Sequence, residues 1–117
     1  MTLTQERPAQ APATQASEHA RWRALLERRW RERLQQLTVL CVAFHESGGL
    51  DGQVQPSVRQ LMRQAVSARQ ALAETDEALG RLTRGTFGSC EDCSAEIPAL
   101  SLLRVPEMRY CERCAAF

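Results

Sequence analysis

A mainly α protein is predicted: a long antiparallel helical hairpin (coiled coil) carrying a small four-cysteine module at its base. Three observations in the 117-residue sequence predict it. Two stretches hold apolar residues at helical spacing, a Gly-rich segment separates them, and four cysteines gather behind the second stretch.

In the first stretch Trp22, Leu26, Trp30, Leu34, Leu37, Cys41 and Phe44 recur at steps of four and three, a stripe along one helix face. Ser47, Gly48 and Gly49 then stop the helix. The segment around them, 47–55, is polar and Gly-rich and forms the hairpin tip. Pro56 and Ser57 open the second helix, because proline is tolerated in a first turn. Ser57 and Gln60 have the spacing of a capping box. From there Val58, Leu61, Ala65, Ala68, Leu72, Thr75, Leu79 and Leu82 alternate steps of three and four, a heptad seam. Arms of roughly 28 residues would each reach about 40 Å. Two helices alone enclose little core, so the base of the hairpin needs a clamp, and the cysteine module begins directly after Leu82.

Residues 1–16 are rich in Pro, Ala, Gln and Thr without helical or alternating period, and read as a disordered N-terminal tail. The expected organisation is thus a tail at 1–16, a coiled-coil hairpin at 17–84 and a zinc finger at 85–117. No apolar run approaches the roughly 18–20 residues that span a bilayer. The N-terminus lacks the apolar core of a signal peptide, so a cytoplasmic location is expected. A formal charge of +1 does not mark the whole chain as a nucleic-acid binder. All fifteen basic residues are arginine, a feature of composition rather than of mechanism.

The cysteines read Cys90-x2-Cys93-x17-Cys111-x2-Cys114. Each CxxC turn can present two sulfurs to one ion, and Zn²⁺ takes four thiolates tetrahedrally. Two disulfides, a redox dithiol or an iron–sulfur cluster are the alternatives. Four protein ligands leave zinc no open position, so such a site is structural. Gly85 and Gly88 let the chain turn into the first knuckle.

Other chemistry-bearing residues have plainer readings. Cys41 lies on the first stripe as a buried small hydrophobe. Trp22 and Trp30 are seam residues rather than stacking platforms, His45 favours the helix C-terminus, and His19 is solvated. Glu91 and Asp92 sit in an exposed turn. Nothing resembles a nucleophile with its base, so no enzyme is expected. Arg21, Arg23, Arg28, Arg29, Arg31 and Arg33 crowd the first helix, offset by Glu27 and Glu32. They form a solvated face flanking the seam, with phosphate or acidic-protein binding as the alternative.

The run Ala78-Leu79-Gly80-Arg81-Leu82, then Gly85-Thr86-Phe87-Gly88 ahead of Cys90 and Cys93, with Ile97, Leu102, Pro106, Cys111 and Cys114, resembles the DksA/TraR family of bacterial RNA polymerase-binding regulators. That resemblance implies a coiled coil rising from a C4 zinc finger. It also implies binding in the secondary channel of RNA polymerase without DNA contact, and a tip that reaches toward the catalytic centre. The tip residue it implies is Asp51, the lone acid of 47–55, where well-studied members carry Asp-x-x-Asp-x-Ala. Ser94 and Ser101 replace a family glycine and arginine. Positions that help some members share guanosine tetraphosphate hold Glu74, Val105 and Ala115, so alarmone binding is not expected. The expected function is a polymerase-binding transcription regulator. A zinc-stapled protein-interaction adaptor, or nucleic-acid binding through the Arg-rich helix, is the alternative.

Overall fold

The computed structural model describes residues 2–48 and 56–115, with side chains at 16–48 and 57–115. Two long helices, α1 (Thr2–Glu46) and α2 (Pro56–Arg84), pack against each other as the hairpin. Two short ones, α3 (Ala99–Arg104) and α4 (Glu112–Ala115), belong to the finger.

Both hairpin boundaries facing the tip fall where turn chemistry puts them. The chain leaves α1 through Ser47 and Gly48, and Gly48 takes φ 75°, which glycine adopts without Cβ conflict. The Gly48 amide donates to the His45 carbonyl, closing the last turn. Because α2 begins at Pro56, Ser57 lies inside its first turn rather than at the cap the capping-box spacing suggested. The disordered tail expected at 1–16 is instead the start of α1, helical from Thr2. Pro8 and Pro12 lie inside this stretch, and each leaves a helical turn without its amide donor.

The core sits at the base of the hairpin. Leu26 of α1 and Ala78 and Leu82 of α2 are buried there, with Trp22, Leu79 and Phe87 packed around them. Trp22 meets Phe87 at 5.1 Å between ring centroids and a 52° tilt, joining the first helix to the finger's entry loop. Thr75 is wholly buried. Toward the tip the seam opens: Leu34 is 38 % exposed. Cys41, expected to be buried, is exposed. The physical reason is geometric. Near the base the finger adds a third layer over the seam, whereas farther out each helix is covered by the other on one side only.

Candidate metal centre and its clamp on the hairpin

After α2 the chain turns through Gly85 (φ 81°) and Gly88 (φ 85°), both left-handed, as the two glycines led one to expect. A Cβ at Gly88 would also press on Leu102 Cδ1 at 3.4 Å. The segment then folds back on itself. The Ile97 amide donates to the Gly88 carbonyl at 2.7 Å and the Cys90 amide to the Ala95 carbonyl at 2.8 Å. Within the first knuckle the Ser94 amide closes onto the Cys90 carbonyl (2.9 Å), and within the second the Ala115 amide closes onto the Cys111 carbonyl (2.8 Å). The two knuckles are therefore matching turns. A bond from the Glu91 amide to the Arg109 carbonyl ties them side by side, and Ile97 and Leu102 fill the small core beneath.

The four sulfurs of Cys90, Cys93, Cys111 and Cys114 lie within 4.8 Å of one another, and those of Cys93 and Cys111 are 3.6 Å apart. A tetrahedron with Zn–S bonds of about 2.3 Å has edges of about 3.8 Å, so the set fits a single zinc ion. All four thiols are free, which sets aside the two-disulfide alternative in this structure.

Charge at the cluster is uneven in a way that suits a cation. The Cys93 amide, with those of Cys111 and Asp92, stabilises the Cys90 thiolate and holds that thiol down to about 6. The Cys114 amide does the same for Cys111. Cys93 is pushed up: the Ala95 amide favours its thiolate, but the sulfurs of Cys111 and Cys90 outweigh it. Cys114 is pushed well up by the sulfurs of Cys111 and Cys90. The surroundings thus favour the thiolate at the first sulfur of each knuckle and the thiol at the second; a bound divalent cation would take all four as thiolates.

A second cluster, which the sequence reading missed, fastens this module to both helices. Glu107, on the loop between α3 and the second knuckle, is 8 % exposed. Arg29 of α1 grips its carboxylate in a fork, Nε to Oε2 at 2.8 Å and Nη2 to Oε1 at 3.0 Å. The Thr75 hydroxyl of α2 donates to Oε2 at 2.7 Å, and Arg33 Nε lies 3.5 Å from the same oxygen. Arg81 donates to the Glu107 backbone carbonyl at 3.2 Å. Burial alone would raise this carboxyl, but hydrogen bonds from Arg29 and Thr75 overcome it and hold it below the ordinary glutamate range. Pro106 beside it is fully buried. On the other flank Arg109 forks onto Glu91 at 2.7 and 3.1 Å, and Arg81 Nη1 stands 3.6 Å from Glu91. Glu91 lies in the exposed turn expected of it and there also pairs with Arg109, which lowers its carboxyl.

A search of solved structures finds the transcription factor DksA2 from Pseudomonas aeruginosa, with a TM-score of 0.74 and 21 % identity. The likeness covers 86 % of this chain and 81 % of that one. The chain has the DksA2 fold. No family model matches it. An uncharacterized protein of Aquifex aeolicus (strain VF5) is 48 % identical over 44 residues, 38 % of this chain and 30 % of that protein, so the match spans under a third of the relative's length.

Set on the DksA2-like hairpin, the predicted site residues separate into two groups. The four cysteines come together at the base. Asp51 and the rest of the predicted tip beyond Gly48 lie outside the described residues. The arginine row also divides: Arg29 and Arg33 turn inward to Glu107, while Arg21, Arg28 and Arg31 are exposed. A solvated face therefore describes only part of the row. The signal that could have revealed the clamp is weak, a lone Glu107 next to Pro106 in a loop otherwise poor in acids.

Proposed function

We propose that this chain is a zinc-stapled member of the DksA/TraR family, a non-enzymatic cytoplasmic regulator that binds RNA polymerase through its hairpin without contacting DNA directly. The observation that carries the reading is the fold shared with a transcription factor over 86 % of the chain. The four-cysteine cluster supports it, since the hairpin needs a rigid base.

In this reading Cys90, Cys93, Cys111 and Cys114 hold one structural Zn²⁺, which supplies a cross-link between the knuckles and no chemistry. Glu107, with Arg29, Thr75 and Arg81, transmits the finger's rigidity to both helices. α1 and α2 then act as a stiff lever entering the polymerase secondary channel, with Asp51 at its tip delivering one negative charge near the catalytic magnesium. Glu74, Val105 and Ala115 stand where some family members are basic, so the effect should not need an alarmone.

Capture of bacterial core RNA polymerase by the immobilised, zinc-loaded chain, with DNA removed by nuclease, tests the reading. Retention of polymerase at physiological salt is expected. Absence of polymerase, with the chain folded, would leave the adaptor reading in its place. Binding to free DNA that falls steeply and linearly in log salt would instead point to the arginines of α1.

A further inference from the structure

We infer that the outer face of α1 is a self-complementary docking strip on which two copies of this chain pair antiparallel. From Leu34 to Phe44 the helix carries no charged residue, eleven positions in a row. On a helix covered from one side this is unusual, since the solvent side is normally polar. Val39 is 60 % exposed and Val42 49 %. At 100° per residue, Arg31, Gln35, Thr38, Val39, Val42 and Glu46 share the face opposite the seam residues Leu26, Trp30, Leu37 and Phe44. All six are exposed.

Charge selects the occupant. The strip begins with a cation, Arg31, and ends with an anion, Glu46, and neither forms an ion pair with another described residue. The spacing is symmetric about its midpoint. A second copy laid antiparallel puts Arg31 against Glu46, Gln35 against Val42 and Thr38 against Val39, each twice, as a two-fold interface requires. The basic side of α2, with Arg59, Arg63 and Arg69 and no acid before Glu74, belongs to the other helix and is not brought face to face. A parallel pairing would oppose like charges at both ends. The strip is about 22 Å long, at the small end for a specific interface, so the dimer is expected to form in the micromolar range.

Sedimentation velocity of the zinc-loaded full chain, from low micromolar to near millimolar concentration, should show a reversible monomer–dimer equilibrium. Arg31→Glu alone and Glu46→Arg alone should each weaken it by about tenfold, and the Arg31→Glu/Glu46→Arg double variant should restore it. Val39→Glu should abolish it with helicity by circular dichroism unchanged. Spin labels on Cys41, with the other four thiols held by zinc, should show dipolar coupling below about 20 Å in the wild type and none in Val39→Glu. A chain that stays monomeric throughout the range, or a dimer indifferent to the charge reversals, overturns the inference and leaves the strip to a different protein.

Discussion

Ser94 adopts φ 63°, the left-handed region that costs a residue with a Cβ roughly 1–2 kcal/mol. It closes the first knuckle, its amide donating to the Cys90 carbonyl at 2.9 Å. Replacing Ser94 with Gly should therefore raise stability by about 1 kcal/mol, read as a higher melting temperature of the zinc-loaded chain. Glu107 poses the opposite case. Its folded carboxyl is held below the ordinary value near 4.5, so the clamp contributes stability above that value and loses it as pH falls through the lowered one. Glu107→Gln should cost about 1–3 kcal/mol at neutral pH and flatten the acid limb of the stability profile. An unchanged acid limb would show that other carboxylates govern it. Arg29→Glu should be at least as damaging, because it sets a second carboxylate against the first. On the proposed function, Asp51→Asn exchanges one side chain that favours turns for another and removes only charge. The variant should fold and bind polymerase as wild type does, and lose most of its effect in a promoter-transcription assay.

At the scale of the elements, a structural zinc at the four cysteines would make the finger dependent on metal and leave most of the hairpin helical without it. Cys111→Ser, or removal of zinc by a strong chelator, should unfold residues 85–115, since structural zinc supplies on the order of 10 kcal/mol of apparent binding energy. Trp22 packs on Phe87, so its emission should shift to the red as the finger leaves, while far-ultraviolet circular dichroism falls only in part. Most of this organisation was legible in the chain. Seam periodicity located α2 and the part of α1 from Trp22 onward but not its start at Thr2, Ser47-Gly48 and Pro56 bounded the two helices on the tip side, and cysteine spacing located the finger. What escaped was what needs three dimensions. Cys41 has the spacing of a core residue and is exposed, because a two-helix layer cannot surround its own seam. Glu107 has the sequence context of a surface loop and is buried, because Arg29 and Thr75 converge on it from helices 78 and 32 positions away.

For the whole molecule, the Glu107 clamp makes the metal site and the hairpin two ends of one equilibrium. The same loop that carries Glu107 leads into the second knuckle, and Arg81 holds its backbone carbonyl, so loosening of the knuckle is felt at the base of α1 and α2 while most of their length stays helical. Thermodynamic reciprocity then fixes a consequence. Arg29→Met, which changes none of the four cysteines, should weaken zinc retention several-fold in competition with a chromogenic chelator. In the other direction, any partner that binds the closed, clamped hairpin more tightly when zinc is present must tighten zinc by that same factor. The free protein would surrender its ion to a cellular competitor sooner than the engaged one. Metal scarcity would thus draw down the idle pool first and spare the copies already at work.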